Sequence, residues 1–259
     1  MKKVLFLSIF VMLAMSVHAQ QAIEDNSFLI EEAYNQEKGV IQYINTFYRQ
    51  RNGDFGYSFT NEMPIKVQRH QFSYTINFVR SDGRNGFGDT YINYRYQILG
   101  LKEGDKVALA PRFSLIMPTG KYKRGAGAGA VGYQVNVPVS VKVSKKFVTH
   151  WNAGVTVTPH ARNETGDRAT TTGFNLGQST IFLAKNTFNV MFETSWNRNQ
   201  NVVSPHHTKA EYSLLLNPGI RWAYNLKSGM QIVPGIAVPV GVGPSRGERG
   251  IFLYLSFEK

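Results

Sequence analysis

Residues 133–143 read YQVNVPVSVKV: Tyr133, Val135, Val137, Val139, Val141 and Val143 alternate with Gln134, Asn136, Ser140 and Lys142. A period of two gives an extended strand one oily and one polar face. The rhythm recurs where Phe55, Tyr57 and Phe59 alternate with Gly56, Ser58 and Thr60. It appears again where Phe72, Tyr74, Ile76 and Phe78 alternate with Ser73, Thr75 and Asn77, and it continues from about residue 40 to the C-terminus. Tilted strands of about 10 residues span a ~30 Å hydrocarbon layer. Repeated without a continuous apolar run, they predict a closed antiparallel transmembrane β-barrel, apolar outside and polar within.

The N-terminus has a different pattern. Lys2 and Lys3 precede the apolar run from Val4 to Met15, broken only by Ser8, and Val17-His18-Ala19 forms a small-x-small cleavage site. Residues 1–19 therefore read as a secretory signal peptide. Their apolar core is short of the ~20 residues of a spanning helix. The chain has no cysteine, which excludes disulfides, thiolate metal sites, a cysteine nucleophile and a lipid-attachment cysteine. The expected organisation is 1–19 signal, 20–38 an acidic N-terminal segment, and 39–259 an outer-membrane barrel.

The formal charge is +12, of which Lys2 and Lys3 supply two. Residues 20–38 carry Glu24, Asp25, Glu31, Glu32 and Glu37 against Lys38, a net of −4, so the remainder carries +14. An exported basic chain rarely meets nucleic acid. Lipid phosphates, lipopolysaccharide above all, and small solutes are the expected partners, together with the barrel-assembly machinery of the outer membrane.

Alternation places about twelve strands, at 40–50, 55–64, 68–79, 88–98, 106–117, 132–143, 147–158, 174–184, 187–197, 211–224, 229–240 and 249–257. Short links alternate with longer ones at 80–87, 118–131, 159–173, 198–210 and 241–248. Bacterial barrels show this asymmetry, with short periplasmic turns and long external loops. Segment 174–184 lacks a clean face. Pro111, Pro138, Pro218, Pro234 and Pro239 fall inside these strands, where each removes a ladder donor, so bulges or strand ends are expected nearby. Trp151, Trp196, Trp222, Tyr94 and Tyr224 suit interfacial aromatic girdles.

The chain also resembles a known family, the outer-membrane transporter-like proteins named for the meta-pathway of phenol degradation (MetA-type β-barrels). The likeness runs through FLIEEAYNQEKGV from Phe28, GFGDTYINYRYQ from Gly86 and APRFSLIMPTG from Ala110. It continues in HWNAGVTVTP from His150, NPGIRWAYN from Asn217 and QIVPGIAVPVGVGPSRGERGIFLYLSFE from Gln231. The resemblance implies an outer-membrane barrel commonly labelled a transporter.

An Arg or Lys facing lipid at mid-depth costs about 2–4 kcal/mol. By parity Arg95, Arg112, Lys142 and Arg221 should therefore face the barrel interior, opposite Tyr94, Phe113, Val141 and Trp222. Glu62, Glu193 and Glu211 lie on polar faces too. Such a lining either selects solutes or fills a narrow barrel with ion pairs. Gly127-x-Gly129-x-x-Gly132 spells a dinucleotide fingerprint, but a strand rather than a helix follows, and GAGAGAVG reads as a flexible external loop. His206-His207 and His160 lack a supporting ligand set, so no metal is expected. No hydrolase constellation appears, and neither an enzyme nor a cofactor is expected.

Residues 20–38 do not alternate like a strand, yet Phe28, Leu29, Ile30 and Tyr34 make them too apolar for an idle tail. Tethering raises their effective concentration at the barrel mouth. The segment is expected to enter that mouth as a partial plug, with Glu31 and Glu32 toward the basic lining and Phe28 and Tyr34 against the wall. The function expected is a channel or transporter for passive or gated passage of small solutes, aromatic or anionic ones among them. The alternatives are a structural, envelope-interaction barrel with a filled interior and a lipid-modifying outer-membrane enzyme.

Overall fold

Alternating sequence becomes wall because a closed sheet satisfies every backbone N–H and C=O without water. The computed structural model describes residues 23–24, 27–102 and 104–259. The expected signal peptide lies outside the described residues. The strands are β1 (Gln42–Gln50), β2 (Phe55–Ile65), β3 (Val67–Ser81), β4 (Arg84–Phe87), β5 (Thr90–Tyr96) and β6 (Val107–Leu109). Next come β7 (Arg112–Met117), β8 (Gly132–Ser144), β9 (Phe147–Arg162), β10 (Arg168–Lys185) and β11 (Phe188–Ser204). The chain ends with β12 (His207–Trp222), β13 (Tyr224–Asn225), β14 (Gln231–Ala237), β15 (Val240–Gly241) and β16 (Gly250–Glu258).

Neighbours in sequence pair antiparallel, β1 pairs with both β2 and β16, and β14 joins β16 to β12, so the sheet closes on itself. Twelve strands form the barrel. The other four, β4, β6, β13 and β15, are short pieces that extend the pairing of β3, β8, β14 and β12.

Four of the five prolines expected inside strands sit where the ladder is interrupted, while Pro234 lies within β14 opposite Leu255 of β16. β6 and β7 are separated at Ala110-Pro111, facing Pro138 of β8, whose carbonyl accepts the Ala110 N–H (3.3 Å). β14 and β15 are separated at Val238-Pro239, facing Pro218 of β12, whose carbonyl accepts the Val238 N–H (2.9 Å). These four missing donors are thus confined to breaks in the wall.

Three expected external loops are instead largely strand. Residues 159–173 and 198–210 belong mostly to β9–β10 and β11–β12, which run 16, 18, 17 and 16 residues. Residues 80–87 form a hairpin between β3 and β4. Crossing the bilayer needs only about 9–11 residues, so β9–β12 project beyond it as a tall wall. Outside the hydrocarbon no oily face is required. Thr170-Thr171-Thr172 and Asn197–Asn201 therefore gave no alternation to read.

Segment 174–184 is part of β10, with an inverted face. Its inward side carries Ser179, Ile181 and Leu183, all buried, while Leu176, Gln178, Thr180 and Phe182 point outward. The GAGAGAVG loop is held in place: Asp89 accepts the N–H groups of Gly120 (2.9 Å) and Ala128 (2.7 Å). A side chain at Gly127 would meet the Gly120 backbone at 2.8 Å.

The apolar core lies inside the barrel on one flank. Ile181, Leu183, Met191, Val233, Ala237, Phe252 and Tyr254 cluster there with Ile23 and Phe28.

Candidate functional site

Residues 23–24 and 27–39 do not join the sheet; they lie in the space the barrel encloses. One end is fixed where β1 begins, by reciprocal hydrogen bonds between Ile41 and Lys259 (2.8 and 3.1 Å). At the other end, the Ile23 carbonyl accepts Asn189 Nδ2 (2.6 Å) and Arg221 Nη2 (3.2 Å), near the β10–β11 turn. Between these ends the segment rises to about Phe28–Glu31 and descends again.

Because it is irregular, its backbone amides need partners from the wall. Glu193 accepts Phe28 N–H (2.9 Å) and Leu29 N–H (3.0 Å) with its two carboxylate oxygens. Asn152 both accepts from Glu31 N–H (2.8 Å) and donates to its carbonyl (2.6 Å). Ser140 accepts Ala33 N–H (2.8 Å), Gln97 accepts Asn35 N–H (2.9 Å) and Gln71 accepts Gln36 N–H (2.7 Å). Four strands, with Gln97 just after β5, thus present acceptors at the depths the segment requires.

Arg95 gathers the acidic residues. Its side chain, 2% exposed, lies 3.3 Å from Glu31, 3.2 Å from Glu32 and 3.7 Å from Glu62. It also donates to Asn35 Oδ1 (2.7 Å) and to the carbonyls of Glu32 (3.1 Å) and Tyr34 (2.5 Å). Arg112 reaches Glu31 through Nε (2.9 Å) and spends its other donors on Asn93, Ser114 and Gln134. Asn136 Nδ2 donates to the same carboxylate (2.7 Å). Burial alone would push the Glu31 carboxyl up, but the guanidinium groups of Arg112 and Arg95, with the bond from Asn136, hold it below its ordinary value.

Apolar residues of the segment fill places where the wall has no side chain. Phe28 packs edge-on against Phe252 (5.7 Å) and Tyr254 (6.1 Å). It lies over Gly219 and Gly235, where an added Cβ would come 2.5 and 2.7 Å from its ring. Ile30 sits over Gly177 in the same way.

Arg95, Arg112 and Glu62 therefore come together with Glu31 and Glu32, while Glu193 and Arg221 lie buried beneath Phe28 and Ile23. Lys142 pairs with Glu24 (2.5 Å), and its ammonium lies 5.9 Å from the Tyr34 ring centroid. Tyr34 packs edge-on against His150 (6.2 Å). Glu211 stands apart, exposed at the outer end of β12 and bonded to Asn201 (2.9 Å). Sequence reasoning did not single out Asn152, Ser140, Gln71 and Gln97, nor the glycines under Phe28 and Ile30. Inward parity was the available signal for the polar four.

Outward of the segment the interior opens into two adjoining cavities of about 570 and 410 Å³. Leu29, Ile30 and Glu31 form part of the floor of both. Among the described residues no cluster of three metal-ligating side chains occurs.

None of the curated proteins matches this chain. Among solved structures it is similar to the COG4313 outer membrane channel from Pseudomonas putida F1, at 11% identity and TM-score 0.64, covering 86% of this chain and 96% of that one. It is also similar to the KdgM porin, alone and in complex with disordered oligogalacturonate, at 10% identity and TM-score 0.52, covering 84% of this chain and 98% of each. At such identities the likeness is one of fold, and the fold is that of outer-membrane channel barrels. Residues 22–255 match the family described as "Putative MetA-pathway of phenol degradation", and the chain belongs to that family, as a twelve-stranded β-barrel of the outer membrane.

Proposed function

We propose that this barrel passes small solutes across the outer membrane and that residues 27–39 form a docked plug that gates the passage. The carrying observation is the manner of docking. The segment is held by Glu193, Asn152, Arg95 and Arg112 through polar contacts that can break and re-form, and the outer cavities end on its apex. Gating by such a segment is an order–disorder or docking equilibrium whose two states differ by these contacts. This reading gives the protein no catalytic step. Lys121, Lys123 and Arg124, beside Tyr122 on the loop after β7, support contact with lipopolysaccharide phosphates at the outer rim.

A second reading, a structural barrel with a filled interior, draws on the buried network of Arg95, Glu62 and Gln71. Single-channel recording in planar bilayers separates the two. The full chain should show small, intermittent conductance, and a variant lacking residues 24–36 a larger and steadier one. Absence of conductance from both, in barrels that still migrate anomalously when unboiled, would favour the filled barrel.

A further inference from the structure

The larger outer cavity has an unusual lining for a pore in a basic protein. It is built against the tall wall of β9–β12, and its side chains include Gln134, Asn175, Asn197, Asn199 and Asn201. Its charged side chains are Glu31 and Arg112, and these are paired with each other at 2.9 Å. The guanidinium is further occupied by Asn93, Ser114 and Gln134. The lining itself therefore offers no unpaired cation to an anion, and at its outer edge the Glu211 carboxylate is bonded to Asn201 (2.9 Å), with Lys209 cross-strand from Asn201 on β12.

Space for a ligand is created by glycine. Gly154 and Gly173 face inward on β9 and β10. A Cβ at Gly173 would fall 2.7 Å from Asn199 Oδ1, and one at Gly154 would fall 2.8 Å from Asn136 Oδ1. Asn199 itself makes no side-chain hydrogen bond among the described residues, so its carboxamide points into the cavity with donor and acceptor both available. Tyr91 lines both outer cavities and supplies an aromatic ring beside these amides.

We infer that this vestibule is a binding site for neutral, hydroxyl-rich solutes, carbohydrates or polyols of one to two sugar rings. Carboxamides match such ligands because a hydroxyl both donates and accepts, as an amide group does. A volume of about 570 Å³ lies within the ordinary range of small-ligand pockets. An apolar aromatic solute would strip water from the amides and return no hydrogen bonds, which is unfavourable. A carboxylate would be desolvated beside amides, with the cation of the lining, Arg112, already paired with Glu31. The inference deepens the channel reading and rests on it for transport, while binding can be measured whether or not the barrel conducts.

The test uses the purified full chain in detergent, titrated calorimetrically with maltose, glucuronate and benzoate. Maltose should bind saturably and at least tenfold more tightly than either anion. Gly173→Val, which places a branched side chain against Asn199, should weaken maltose binding at least tenfold. Asn199→Leu should weaken it too, and it leaves the glycine wall intact should the valine variant fail to fold. The inference is overturned if maltose gives no saturable heat, if benzoate or glucuronate binds as tightly, or if folded variants bind maltose like the parent. Maltose binding without conductance would instead overturn the channel reading and leave the site standing.

Discussion

Arg112 and Glu31 meet with the guanidinium Nε 2.9 Å from the carboxylate, joining the wall of the barrel to the highest part of the segment within it. This contact makes docking sensitive to acid. Glu31 has its carboxyl held below the ordinary value near 4.5. A depressed pKa contributes stability that is fully present above the undocked value and is lost as pH falls through the docked one. Conductance should therefore rise as pH falls below about 4.5, as Glu31 takes up a proton and loosens from Arg112 and Arg95. Glu31→Gln should be more conductive at neutral pH and show a flatter profile. An identical acid response in the variant would place the sensitive group elsewhere.

Glu193 serves the segment through its backbone. Its carboxylate accepts from Phe28 and Leu29 N–H and from Asn217 Nδ2 (2.8 Å). Leaving a buried hydrogen-bonding group without its partner costs about 1–3 kcal/mol. Glu193→Gln keeps the shape and one acceptor, so docking should weaken by about 1–2 kcal/mol, roughly tenfold in the undocked population. Limited proteolysis of the N-terminal segment in detergent should report this as faster cleavage, with the barrel intact. Unchanged cleavage would show that the apolar socket around Phe28 suffices.

Residues 133–143 disclosed their strand because lipid demands an oily face at every second position, and parity alone separates Arg95 from Tyr94 and Arg112 from Phe113. Beyond the bilayer that demand ends. The outer halves of β9–β12 therefore read as loops. Inside the barrel the legible elements were charges and aromatics. The illegible ones were partners of backbone amides, since a peptide N–H carries no residue identity, and glycines whose role is to leave room. Gly219 and Gly235 fall at alternate-face positions of NPGIRW and VPGIAV, and nothing local distinguishes a socket for Phe28 from a gap.

Arg95 should matter more to the plugged barrel than to an empty one. It is the cation nearest to Glu31, Glu32 and Glu62 together. Removing one partner from a buried charge network costs about 3–5 kcal/mol, because the rest are left uncompensated. Arg95→Leu should lower the urea midpoint of the full chain markedly. In a variant lacking residues 24–36, Glu62 alone remains, and the same substitution should cost less than half as much. Equal losses in both backgrounds would mean that Arg95 acts within the wall rather than on the segment.

Gln178 is the clearest polar intrusion on the outer face. Ser179 beside it is buried and bonds to Ser27 inside the barrel (3.1 Å), and Gly177 faces Ile30, so Gln178 points outward, opposite Trp151 of β9. It lies seven positions before Lys185 at the end of β10. At about 3.3 Å per residue and a tilt of about 40°, this sets it roughly 18 Å above the turn, within the ~25 Å apolar band. One bond is made there, from its Nε2 to Thr180 Oγ1 (2.6 Å), and its remaining amide groups face hydrocarbon. Burying an amide without its full set of partners costs about 1–3 kcal/mol by mutational measures. Gln178→Leu should therefore raise the urea midpoint of the barrel refolded in lipid vesicles, by about 1–2 kcal/mol in unfolding free energy. A destabilised variant would mean that the outward amide is satisfied in the membrane by a partner, and cross-linking at residue 178 would then identify whether that partner is a second barrel.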